Sequence, residues 1–185
     1  HRYPAALALE RGVDDTALFH PRIDVEGIAA QRIDAMRLAI RIRQLVERNQ
    51  FAAALAAADE LSDTVPDNRD VLYMIAVSQR HLTSIPQALD TLDRLERLHP
   101  SFSRLHQERG HCYVALRDAP KAIEAFLRAV NLNPALPASW STLQALFRMT
   151  GQVQNAEMAA AHVATLGQLP AEIVTATALF SDGEL

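Results

Sequence analysis

Apolar positions along this chain fall into short helical stripes separated by turns, and the stripes recur. In the stretch Ser103 to Leu136, Gly110, Tyr113, Ala122, Phe126, Ala129 and Pro134 are spaced as two short helices and a closing turn. A step of 34 residues back, Ala88, Leu92, Leu95 and Pro100 take the corresponding places, and a further step back Ala54, Ala58, Leu61 and Pro66 do so. One step forward, Trp140, Leu143, Phe147, Gly151 and Ala156 continue the series. A period this strict predicts an all-α fold, a right-handed α-solenoid of antiparallel helix pairs.

Taken in order, residues 1–34 form an amino-terminal helical extension or cap. Pro4 can open a short helix through Leu9, Gly12 ends it, and His20, Pro21 and Arg22 read as a turn. Asp24 reads as the N-cap of a longer helix, in which Ile28, Ile33, Met36, Leu38, Ile42, Leu45 and Val46 recur at helical spacing to about Arg48. Four repeats follow at 35–68, 69–102, 103–136 and 137–170. The alanine run Ala52 to Ala58 lets a neighbouring helix approach closely. In the second repeat Asp90–Arg94 and Asp93–Arg97 are spaced for i,i+4 pairs on a solvated face, worth ~0.3 kcal/mol each. Ile173, Val174, Ala176, Leu179 and Phe180 begin one more amphipathic helix in 171–185, and Gly183 repeats the turn chemistry of Gly151. That segment is either the first helix of a fifth repeat or a carboxyl-terminal cap.

Composition narrows the class. The chain has 49% apolar residues but only 5% aromatic, so its interior is helix against helix with small residues at the crossings. A net charge of −4 argues against a general binder of nucleic acid or of membrane surfaces. No apolar run approaches the roughly 18 residues of a membrane span. Lys121 is the single lysine, so arginine supplies the other strong bases; this reflects either genome composition or a surface that reads carboxylates with planar forks. Cys112 stands alone, which excludes an intramolecular disulfide and favours a reducing, cytoplasmic location, as does an amino end with Glu10, Asp14 and Asp15 and no secretory pattern.

The spacing of Gly110, Tyr113, Ala122, Phe126, Ala129 and Pro134, with its echoes in the other three units, resembles the tetratricopeptide repeat over residues 35–185. Small residues sit where the two helices of one repeat touch (Gly110, Ala76) and at the starts of second helices (Ala54, Ala88, Ala122, Ala156). Arg41 and Arg109 depart from the pattern by standing at positions usually apolar, where their stems can snorkel past the core. The third repeat, the link Pro134 to Trp140 and the tail Ile173 to Leu185 also resemble the repeat region of bacterial tetratricopeptide-repeat sulfotransferases. In that group a catalytic domain that binds the sulfate donor PAPS follows the repeats. No glycine-rich phosphate loop lies within this chain, so such chemistry would belong beyond Leu185.

His99, His106, His111 and Cys112 invite a metal or nucleophile reading. Their spacing fits no closed zinc pattern, and adjacent helical residues such as His111 and Cys112 point about 100° apart. The sequence therefore predicts no enzyme, no cofactor and no metal. The resemblance implies a concave groove lined by the first helix of each repeat. It places there Met36, Ala39, Arg43 and Glu47, then Asp70, Tyr73, Val77 and Arg80. Arg104, Gln107 and His111 follow, and then Ala138, Ser141, Ala145 and Arg148. Arg43, Tyr73, Val77, Arg80, Arg104, Gln107, His111 and Arg148 suit a protein or peptide partner with acidic groups; the alternative is an ordinary solvated face. Ala39, Met74 and Glu108 stand where the carboxylate clamp of chaperone-binding members needs polar or basic residues, which disfavours that ligand. The expected function is a protein-interaction scaffold. The competing readings are the amino-terminal arm of a larger sulfotransferase and self-association through the terminal repeats.

Overall fold

A computed structural model describes residues 25–62 and 67–183, with side chains from residue 33 and excepting Ser62. The expected features at Pro4 to Asp24, at Pro66 and at Glu184 and Leu185 lie outside the described residues. Among those described, nine α-helices and no strands form. They are α1 (Val25–Glu47), α2 (Phe51–Ser62), α3 (Arg69–His81), α4 (Ile85–Leu98), α5 (Ser103–Ala115), α6 (Ala119–Leu132), α7 (Pro137–Met149), α8 (Val153–Gly167) and α9 (Ala171–Ser181).

The helices pair as α1 with α2, α3 with α4, α5 with α6 and α7 with α8, and each second helix also packs on the first helix of the next pair. First helices touch across pairs, α1 on α3 and α3 on α5. Among the described residues no two second helices pack to a similar extent, so the array closes on the first-helix side. That row forms the concave face.

One turn, used four times, sets the period inside each pair. Asn49, Thr83, Arg117 and Gly151 are left-handed, with φ of 57, 62, 58 and 74°. The next residue's N–H reaches five residues back, Gln50 to the Leu45 carbonyl (2.8 Å), Ser84 to Gln79 (2.9 Å), Asp118 to Tyr113 (2.9 Å) and Gln152 to Phe147 (2.8 Å). This is the Schellman closure, which satisfies carbonyls that the ending helix leaves unpaired. Glycine suits the left-handed position and asparagine tolerates it; Thr83 and Arg117 hold it at a steric cost.

The small residues expected at crossings are buried: Ala54, Ala76, Ala88, Ala122 and Ala156 each expose at most a few per cent. At Gly110 the spacing has a harder cause. A Cβ there would come within 2.7 Å of the fully buried Phe126 ring, so α5 and α6 can approach only because the side chain is missing. Trp140 fills the next layer beside Phe126, Leu143 and Phe147, and its indole N–H donates to the Pro134 carbonyl at 3.0 Å.

The charges of α4 run between helices. Arg94 pairs with Asp67 at 2.8 Å, and Asp93 pairs with Arg109 of α5 at 2.7 Å. Arg109 also holds Glu96 at 2.5 Å, and Glu96 takes Arg128 of α6 at 2.8 Å. Arg109 therefore does not simply snorkel; its guanidinium ties α5 to α4, whereas Arg41 is exposed on α1.

Candidate functional site

The concave row presents the first helices α1, α3, α5 and α7, with α1, α3 and α5 in contact along it. At its first end Arg43 lies 3.6 Å from Asp70, which also pairs with Arg69 at 3.2 Å. Met36 and Glu47 are exposed there and Ala39 is half-buried. In the middle, Arg80 of α3 pairs with Glu108 of α5. Glu108 is almost fully buried, and burial pushes its carboxyl above the usual value of 4.5 while Arg80 pulls it down. Tyr73 packs edge-on against Phe102 with ring centres 5.6 Å apart. Burial raises its phenol strongly, and the nearby Glu108 carboxylate adds to the rise.

His111 meets the Phe126 ring edge-on at 5.0 Å. Burial, then Arg80 and His81, lowers it to about 4, so it is neutral near pH 7. Cys112 beside it is buried, and burial followed by the Glu108 charge raises its thiol to about 12. A thiol so shifted is the reverse of an activated nucleophile. His106 is buried between helices and pushed down to about 4 by burial, with Arg128 adding to the fall. Among the described residues no three His, Cys, Asp or Glu side chains converge as metal ligands would.

At the far end the strip opens. Ala138, Ser141, Ala145 and Arg148 of α7 are all exposed, whereas Tyr73, Val77, Gln107 and His111 are half-buried. Of the eight candidates from sequence, Tyr73, Arg80 and Arg104 gather around Glu108 and Asp182. Arg43 and Arg148 stand toward opposite ends.

Three groove arginines already hold acids of the same chain: Arg43 with Asp70, Arg80 with Glu108, and Arg104 with Asp182 at 3.6 Å. An acidic partner segment at these three positions would have to compete with the chain's own carboxylates. Arg148 is the groove arginine with no ion pair among the described residues.

Asp182, missed from sequence, comes from α9. This helix leaves α8 at 114° and runs back past the starts of α7, α5 and α3. It meets α5 at its start. The N-cap of α5, Phe102, has no side chain that can accept a hydrogen bond, unlike Asn68 on α3 or Asp118 on α6. The Asp182 carboxylate fills the vacancy across 79 residues of sequence, accepting from the Ser103 N–H at 2.9 Å and the Ser103 hydroxyl at 2.6 Å. Asn133 Nδ2 donates to the Asp182 carboxylate at 3.4 Å and to the Ala178 carbonyl at 2.9 Å. Arg69 donates to the Asp182 carbonyl at 2.8 Å while its guanidinium lies over Phe102. Only the apolar N-cap at Phe102 hinted at this arrangement in sequence.

Comparison with known proteins agrees with this geometry. No curated protein matches the chain. Among solved structures, the crystal structure of MamA superposes with a TM-score of 0.66 at 13% identity, over 77% of this chain and 84% of that one. TTC0263, a thermophilic TPR protein from Thermus thermophilus, gives 0.63 at 21% identity, over 84% and 85%. MamA residues 41 to the end from Desulfovibrio magneticus RS-1 give 0.59 at 19% identity, over 73% and 75%. Identities this low speak to the fold alone. The family model described as "Tetratricopeptide repeat" matches residues 41–101 and 82–138, together more than half of the 185 residues. The chain belongs to the tetratricopeptide repeat family.

Proposed function

We propose that this chain is a protein-interaction scaffold that takes a partner segment along its concave face. The observation that carries this reading is the open strip on α7. Ala138, Ser141 and Ala145 are small and exposed in succession, with Arg148 at the end and the half-buried Gln107 and His111 preceding them. Small side chains there leave room for a second backbone. The polar groups around them supply direction, and Arg148 supplies a charge-assisted contact to an acidic group.

The test uses the whole chain as an affinity bait. Ser141→Arg with Ala145→Arg fills the strip without touching a buried residue, and Glu124→Arg on the exposed side of α6 serves as the control. A partner captured by the unmodified chain and by Glu124→Arg, but lost by the double variant, is the expected result. Equal capture by all three removes the concave face as the binding surface.

A further inference from the structure

We infer that α9 is a displaceable strap, and that Asp182 occupies in cis a carboxylate seat which a partner's acidic segment takes when α9 lifts. The inference rests on the scaffold reading above and adds the chemistry of one contact.

Three observations carry it. First, α9 is fastened by very little apolar burial. Ala178 is its one buried helical residue, Val174 and Leu179 are partly covered, and Ile173 and Phe180 are 52% and 73% exposed. A helix with so few apolar contacts belongs to the least stable part of a fold. Second, what fastens it is a group that other molecules can supply. The Asp182 side chain is fully buried, and its carboxylate takes the Ser103 N–H and hydroxyl, Asn133 Nδ2 and the Arg104 charge. Ser103 and Asn133 are themselves completely buried, so the seat is built into the fold and would be left with unpaired donors if emptied. Third, the seat adjoins the groove: Arg104 lies on the concave row, and Tyr73 feels the charges of both Arg104 and Asp182. A segment in the groove can therefore reach the seat.

The occupant that fits is a helical segment of a partner with a small residue followed one turn later by an aspartate or glutamate, as Ala178 precedes Asp182. The chain's own strap supplies the probe. A labelled peptide of residues 171–185 and its Asp182→Asn counterpart are titrated, by fluorescence anisotropy, into the unmodified chain and into the chain carrying Asp182→Asn. Weakening the cis latch should tighten binding of the acidic peptide at least tenfold. The Asn peptide should bind at least tenfold more weakly than the acidic one, and Arg104→Ala in the Asp182→Asn chain should lower the gain. Hydrogen exchange on the unmodified chain gives a second reading that needs no variant: saturating acidic peptide should strip protection from the chain's own residues 171–181 and leave α5 and α7 unchanged.

Equal binding of the two peptides, or protection of α9 unaltered at saturation, overturns the inference. If a partner is nevertheless lost on filling the α7 strip, the scaffold reading stands without the strap. If that loss also fails to occur, both fall.

Discussion

Gly110→Ala sets two well-measured tendencies against each other. Alanine in a helix interior gains about 1 kcal/mol over glycine. Against this, the new Cβ would sit 2.7, 2.7 and 2.9 Å from three carbons of the Phe126 ring. Carbon atoms settle at about 3.5 Å or more, so ring and helix must separate by ~0.8 Å. The ring cannot retreat freely: Phe126 is fully buried beside Val130, Trp140 and Leu143, and His111 meets its edge. Overpacking of this kind costs about 1–3 kcal/mol before relaxation, and the upper half of that range applies where the obstructing group is an enclosed ring. The balance is a net loss of about 1–2 kcal/mol, read as a melting temperature lower by about 2–8 °C for a chain of this length. Urea or thermal unfolding followed by far-UV circular dichroism measures it. Phe126→Leu makes space at the contact, so the two substitutions should be less damaging together than their sum by about 1 kcal/mol. A Gly110→Ala chain more stable than the parent, or strict additivity with Phe126→Leu, would refute the idea that helix contact fixes this glycine.

The other expectations follow from single residues. Arg80→Ala leaves the buried Glu108 carboxylate without its partner and should cost about 2–3 kcal/mol near neutral pH, measured by urea unfolding. Because the folded pKa of Glu108 is raised, its proton is held more tightly in the folded chain. The stability it adds is full below the unfolded value of 4.5 and is lost as pH rises through the folded value. Arg80→Ala should therefore be more damaging at pH 8 than at pH 4, and Glu108→Gln should flatten stability across that window. Thr83 is β-branched and left-handed at φ 62°; Thr83→Asn should raise stability by about 0.5–1 kcal/mol, seen as a higher melting temperature, while the same change at the helical Thr142 should not. Filling the α7 strip should leave the melting temperature unchanged while abolishing capture of the partner.

What could be read from sequence was whatever the repeat enforces locally. Ala54, Ala88, Ala122 and Ala156 are small because a helix passes close to each, so their spacing exposed the fold directly. The left-handed turn residue recurs just as strictly, but only Asn49 and Gly151 announce it; Thr83 and Arg117 adopt the same φ because the helices on either side over-determine it. Charges were harder still. A guanidinium at the end of a long stem can pair along its own helix or across to the next, and Asp93 with Arg109 and Arg43 with Asp70 chose the second. Asp182 carries no periodic mark. Its partner lies 79 residues away, at the start of α5, where the N-cap Phe102 offers no side-chain acceptor. The narrower resemblance to sulfotransferase repeat regions concerned texture in the third repeat and the tail, whereas the family match covers repeat structure alone.

The most direct test of the scaffold account is site-specific photo-crosslinking with the whole chain in its native lysate. A benzophenone side chain is placed at Ser141 or Ala145 on the open strip, or at Glu124 on the exposed side of α6. The account predicts a discrete protein adduct from the two α7 positions and none from Glu124. An adduct from Glu124 with silence at Ser141 and Ala145 would place partners on the outer surface and contradict it.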